Sequence, residues 1–295
     1  MAKETDMLIR DYRFGIVEAE MRARVPHNIR QIPLVPKRLA PSAHLMPALI
    51  DLRACSVEER NRLMAGDPGL DGRAQSPVVA VMLEGLVSTD EVERRWNATQ
   101  LASLDQRHWF WMRMHDPRVL HQLFRVLSPE QCRYLFGRIA AVAYWVGGEW
   151  VINASHFDIP KGAVGARYGE LSPNDWRRVM RIGLVNRALE RACIWGAAEL
   201  VSNGSMIEQA LDCATSHHGL SQDDDLVEFA FRALTCSHCF SDDSRVAAAI
   251  TRYIANQHQS RLSDHFALID PSIWTELSTH SQTKKGERHD NVKKM

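Results

Sequence analysis

Between residues 108 and 151 the apolar positions run first in a block, then twice at helical spacing, then in alternation. Each change of rhythm falls on a residue suited to a boundary. Residues 109–114 are aromatic and Met-rich and predict a strand, with Arg113 and His115 near its end. Asp116-Pro117 predicts a helix start, because a carboxylate accepts orphan amides and Pro at the first helical position has no N–H to satisfy. Val119, Leu120, Leu123, Phe124 and Leu127 then form one apolar face. Ser128-Pro129-Glu130-Gln131 repeats the start signal as a capping box, and Gly137 stops this second helix after Leu135-Phe136. Gly147-Gly148 predicts a two-residue hairpin turn between residues 141–146 and 149–152.

The same rules organise the rest of the chain. Ser56 to Glu59 is a capping box opening a short helix that ends near Gly66, and residues 66–76 form a loop by composition. Residues 77–83 (PVVAVML) are a continuous β-branched run, the mark of a strand buried on both faces. Ser88 to Glu91 caps a helix expected to run to about Leu101. The order predicts a mixed sheet with helices against it. After Gly162, Gly165 and Gly169 every segment is helical. Ser172-Pro173 starts a long helix with Val179, Ile182, Val185, Leu189, Ala192 and Cys193 on its apolar face, expected to end at Asn203-Gly204. Ser205 and Glu208 cap the next, ending near Gly219, and Asp223, Asp224 and Asp225 open another at the positive end of its dipole.

The pattern therefore predicts an α+β protein of two lobes. A mixed α/β lobe, a small sheet with helices, takes residues 1–155. A linker takes 156–170, an all-helical lobe takes 171–275, and residues 276–295 are polar enough to be disordered.

Composition narrows the function classes. The 36 basic and 36 acidic residues cancel, which disfavours a nucleic-acid partner and leaves little net long-range attraction for any partner. Binding is then expected to draw on apolar and aromatic contacts and to vary modestly with salt. No run approaches the roughly 18–20 apolar residues of a membrane span, and the N-terminus lacks a secretory pattern. Six scattered Cys in such a chain read as reduced thiols, so the expected location is the cytoplasm.

Candidate chemistry is sparse. Cys236-Ser237-His238-Cys239, with Cys213, His217 and His218 upstream, has zinc-type ligands without a finger or ribbon spacing. Packed small hydrophobes are the alternative, and the expectation is no bound metal and no cofactor. Lys161-Gly162 with Gly165 lacks the ending of a phosphate loop. No nucleophile elbow, zinc-protease motif or nucleotide fingerprint occurs, so no enzymatic activity is expected. Asp116 with Arg118 reads as a cap rather than a catalytic pair. Among eight Trp, alternation puts Trp109 and Trp111 on one strand face, and Tyr144 with Val146 on one hairpin face. Any such face left uncovered is a hydrophobic seat for a partner, which makes Trp109, Trp111, Tyr144 and Trp145 candidate anchors.

The run Asp116-Pro117-Arg118-Val119-Leu120 after an aromatic strand, followed by Ser128-Pro129-Glu130-Gln131 and Leu135-Phe136-Gly137, resembles the effector chaperones, or adaptors, of type VI secretion. The likeness extends through residues 76–102 and more loosely to 34–64. The chain departs from the family pattern at His115, where an aromatic is usual, and at Arg138, where Pro is usual. The resemblance implies a bacterial cytoplasmic protein that holds a cognate toxin and helps load it onto the VgrG spike. His115 and Arg138 would then bear on partner choice, and Arg118 would join them among the partner-binding residues. A metal-dependent enzyme on the Cys/His cluster, or an immunity protein for the toxin, are the rival readings.

Overall fold

The computed structural model describes residues 12–65, 76–103, 107, 109–154, 171–236, 239–256 and 259–279. The chain divides into two compact units, Met1–Val179 and Met180–Met295. The first is α+β and the second is helical, as the residue pattern predicts.

The first unit is built on six strands: β1 (Phe14–Val17), β2 (Ile32–Pro33), β3 (Ala48–Asp51), β4 (Val79–Glu84), β7 (Ala141–Val146) and β8 (Glu149–Ala154). Their order is β2-β3-β1-β4-β7-β8, and all the pairs are antiparallel rather than mixed. Strand β4 is buried from Val79 to Leu83, as a run apolar on both faces requires. In β1, a Cβ on Gly15 would stand 2.9 Å from Val79 Cγ1, so glycine lets the two central strands close. The hairpin turns on Gly147 (φ 64°) and Gly148 (φ 83°), the double positive φ that the sequence anticipates.

Helices α1 (Val57–Met64), α2 (Thr89–Thr99), α3 (Pro117–Val126), α4 (Pro129–Phe136) and α5 (Pro173–Met180) complete this unit, whose division from the second falls in the last turn of α5. Strand alternation gives the sheet two apolar faces. On one, Ala143 and Met82 join Val25, Ile29, Leu52, Leu63 and Met64 in a core cluster. On the other, Tyr144 stacks on Phe124 of α3 at 5.7 Å, and Phe124 stacks on Phe136 of α4 at 5.2 Å. The capping boxes at Ser56/Glu59 and Ser128/Gln131 are both formed. Gln131 also donates to Asp175 Oδ2 at 2.9 Å, which ties α5 to α4.

Two readings of this unit need correction. The strand expected at residues 109–114 is only β6 (Trp109–Trp111), and it lies outside the main sheet, paired with β5 (Leu101–Ser103). The helix expected to reach Leu101 stops at Thr99. There the Thr99 hydroxyl donates back to Arg95 O, and Gln100 turns its amide to Leu34 O at 3.2 Å while its own carbonyl takes Met112 N–H at 2.7 Å. Those long-range bonds are invisible to helical periodicity.

The second unit holds α6 (Ile182–Arg191), α7 (Ala197–Ser216), α8 (Asp223–Thr235), α9 (Ser244–Ala255), α10 (Leu262–Ala267) and α11 (271–279). The single long helix expected from Ser172 is broken twice, at Arg181 and after Arg191. The second break uses Cys193 at φ 55°, with Ile194 N–H bonded to Leu189 O at 3.0 Å, a Schellman closure made without glycine. Conversely Asn203-Gly204 is no stop. Helix α7 runs through it, with Gly204 buried and Asn203 donating to Glu199 O. The Ser205 cap is therefore not a cap, although the end near Gly219 (φ 65°) stands. Residues 276–279, expected to be disordered, continue α11; the remainder of the tail and the linker 156–170 lie outside the described residues.

Charged side chains are buried in this unit with partners. Asp225 of α8 accepts from Tyr253 Oη of α9 at 2.5 Å and from Leu262 N–H at 2.8 Å, the first residue of α10. Glu228, 1% exposed, is bracketed by Arg191 and Arg232. Phe229, Phe240, Phe266 and Trp274 form a contiguous aromatic cluster. No helix among the described residues is long and apolar enough to cross a membrane.

Candidate functional site

The β5–β6 hairpin and the loop from Met112 to Pro117 bring together most of the residues singled out by the sequence. Gln100, fully buried, anchors the hairpin: its Oε1 accepts from Trp111 Nε1 at 3.3 Å. Alternation along β6 puts Trp109 and Trp111 on the same face. Trp109 is 40% exposed and Trp111 is half-buried. Each indole has a guanidinium nearby: Arg38 lies 4.4 Å from the Trp109 ring, and Arg113 lies 5.9 Å from the Trp111 ring. Both are within the range of a cation–π contact.

The loop then folds its polar groups inward. His115 is 5% exposed, tilted against Trp111 at 5.4 Å, and its Nδ1 has no hydrogen-bond partner. Burial first, then the Arg113 charge, push its pKa down to about 4, so the ring is neutral at physiological pH. A pH switch near neutrality is thereby out of its range. Asp116, also 5% exposed, caps α3 by accepting Arg118 N–H at 3.0 Å. The Arg118 guanidinium returns to the same carboxylate, Nε to Oδ1 at 3.3 Å and Nη2 to Oδ2 at 3.1 Å. Asp116→Ala is expected to lower the unfolding free energy by about 1–2 kcal/mol, one N-cap plus a part-exposed ion pair. Urea denaturation reads this directly; unchanged stability would mean that the carboxylate caps nothing that matters.

The other candidates are not assembled into this face. Tyr144 is 1% exposed and belongs to the core, where its hydroxyl meets His121 Nδ1 at 3.2 Å. It is no surface anchor. Trp145 is half-buried and packs edge-on against Trp150 at 5.7 Å, with no hydrogen-bond partner for its Nε1. Arg138 is exposed and pairs with Glu91 of α2 at 3.6 Å. Gly137, at φ 65°, ends α4 beneath the Arg95 side chain. Arg38 was missed by sequence reasoning because it lies far from Trp109 along the chain. The available signal was the stretch of residues 21–50, which holds five Arg or Lys and no Asp or Glu.

Of the Cys candidates, Cys236 is buried, Cys213 is half-buried and Cys239 is exposed. Cys236 is buried against the Trp274 backbone, and Cys213 Sγ stands 3.6 Å from His217 Nδ1. Burial pushes the Cys213 thiol up. Ser237 and His238 lie outside the described residues, and among the described residues no three His, Cys, Asp or Glu converge as a metal site.

Comparison with known proteins locates the part of the chain that is shared. No curated protein and no solved structure matches it. Residues 23–134 match the family described as domain of unknown function (DUF4123), a span that contains Arg38, the β5–β6 hairpin, the Asp116 cap and nearly all of α4, and stops short of Arg138, Tyr144 and the helical unit.

Proposed function

We propose that the protein is a cytoplasmic adaptor, or chaperone, that binds a cognate type VI secretion effector and helps load it onto the VgrG spike without being exported itself. The observation that carries this reading is the family match over residues 23–134, which takes in residues 109–134 of the motif stretch that resembles the effector chaperones. The geometry supports a binding protein in a simple way. The hairpin presents an exposed Trp and paired guanidiniums, residue types that dominate protein interfaces. The polar groups most suggestive of catalysis, Asp116 and His115, are used instead as a cap and a packed ring. Effector segments that would otherwise aggregate are kept soluble by a partner that binds them preferentially.

Deletion of the gene tests the proposal. The neighbouring toxin should lose soluble yield and secretion in the deletion strain, and co-expression should restore a complex that survives gel filtration. Equal solubility and equal secretion without the gene would defeat the adaptor reading. A complex that silences the toxin and contains no spike would point to an immunity protein.

A further inference from the structure

The zero net charge conceals an uneven distribution. Residues 21–50 hold five basic side chains, Arg22, Arg24, Arg30, Lys37 and Arg38, and no Asp or Glu. This stretch contains the 3-10 segments Ala19–Arg24, from its third residue, and Lys37–Leu45, and the second of them delivers Arg38 to the Trp109 ring. Lys37 and Arg38 are exposed, and Arg113, in the loop just after the hairpin, has its side chain 52% exposed. Among the described residues, Asp116 is buried between Arg118 and Arg113, the latter at 3.7 Å, Glu18 is half-buried, and Glu20 is exposed. Lys37, Arg38 and Arg113 thus turn cations to solvent beside the exposed Trp109, on a protein that is neutral as a whole.

We propose that the β5–β6 hairpin face is a docking surface for an acidic peptide segment of the partner, with carboxylates on Arg38 and Arg113 and an apolar side chain against the edges of Trp109 and Trp111. The argument is one of charge and shape. A guanidinium laid over an indole still offers its N–H edge, and that fork fits a carboxylate with two parallel hydrogen bonds. Stacking also holds the guanidinium in place, so less side-chain freedom is lost on binding. Single-stranded nucleic acid fits less well. It needs open aromatic faces on which bases stack, and here guanidiniums cover ring faces. The inference rests on the adaptor reading for the identity of the partner, but its chemistry is separately testable. It also replaces the modest salt dependence expected from net charge with a pronounced one, because local charge sets the interaction within a Debye length.

The test uses the full-length protein and fluorescently labelled peptides: a Glu-rich peptide carrying Leu, and a twin with Gln for every Glu. Anisotropy should show the Glu peptide binding, with affinity falling at least about tenfold between about 50 and about 300 mM salt as screening tightens. The twin should bind far more weakly. Arg38→Glu with Arg113→Glu should abolish binding while circular dichroism shows the fold retained at a somewhat lower melting temperature, because Arg113 also faces Asp116. Arg38→Lys with Arg113→Lys should retain part of the binding at an unchanged melting temperature, since charge survives and the planar fork does not. Equal binding of the twin, unchanged binding by the Glu variant, or tighter binding of oligothymidylate than of the Glu peptide would each overturn the proposal. If the Glu variant still forms the effector complex at full affinity, this surface fails and the adaptor reading stands. Should the peptide bind as described while gene deletion leaves secretion intact, the adaptor reading fails and the surface stands.

Discussion

Tyr144→Ala is expected to cost about 3–5 kcal/mol of stability, the usual range for an aromatic removed from a packed core. The ring lies in the middle of a stack: Phe124 covers it at 5.7 Å and is in turn stacked on Phe136 at 5.2 Å, so one deletion leaves a void among β7, α3 and α4. Against a total stability of about 5–15 kcal/mol, such a loss leaves a large unfolded population. Tyr144→Phe should cost only about 1 kcal/mol, since it removes the hydroxyl contact with His121 and keeps the ring. Urea denaturation of both variants separates packing from hydrogen bonding. A Tyr144→Ala protein that melts like the parent, yet loses its partner, would show the ring to be a contact residue after all.

The second large effect is expected in the helical unit. Asp225→Ala should destabilise it by roughly 3–5 kcal/mol, because two hydrogen bonds to a carboxylate are worth about 1.5–3 kcal/mol each and the donors are left buried. One donor is the Tyr253 hydroxyl, the other the Leu262 amide at the start of α10, so a single side chain of α8 holds two further helices. Burial, then Asp225 itself, push the Tyr253 hydroxyl up to about 12, which keeps it a donor at all ordinary pH. Tyr253→Phe should lose roughly half as much. Thermal melts followed by helical circular dichroism decide the matter, and a shift of less than about one degree for Asp225→Ala would exclude a structural role for the carboxylate.

Much of the fold was legible in the sequence wherever the chemistry is local. The caps at Ser56, Ser88, Asp116 and Ser128, the stop at Gly137 and the turn at Gly147-Gly148 are each decided within four residues, and each is formed. Strand β4 was equally plain from its unbroken apolar run. The misreadings share one cause. Asn203-Gly204 looks like a stop, but tertiary packing buries Gly204 inside α7, and Cys193 adopts a positive φ that sequence propensity would assign to glycine. Residues 276–279 are polar, yet Trp274 one turn earlier sits on Phe266 and holds the helix in place. The candidate site was half legible. Trp109 and Trp111 follow from alternation, whereas their guanidinium partners depend on the fold, and the burial of Tyr144 and His115 depends on what packs over them.

Strands β4 and β7 lie side by side, although residues 85–140 separate them along the chain. The excursion leaves and returns at one point, where Ala140 N–H donates to Glu84 O at 2.7 Å. The order of folding follows from this. The β7–β8 hairpin closes over two residues and forms within about 1–10 μs, whereas pairing β4 to β7 first requires a long loop to close against its entropy. During that interval β4 is a strand apolar on both faces with an open edge toward β7, the kind of segment that recruits other chains. Net neutrality adds no repulsion to keep such intermediates apart. A protein proposed to shield another chain's apolar segments thus carries, in β4, one that is covered on both edges only by long-range pairing, with β1 and β7.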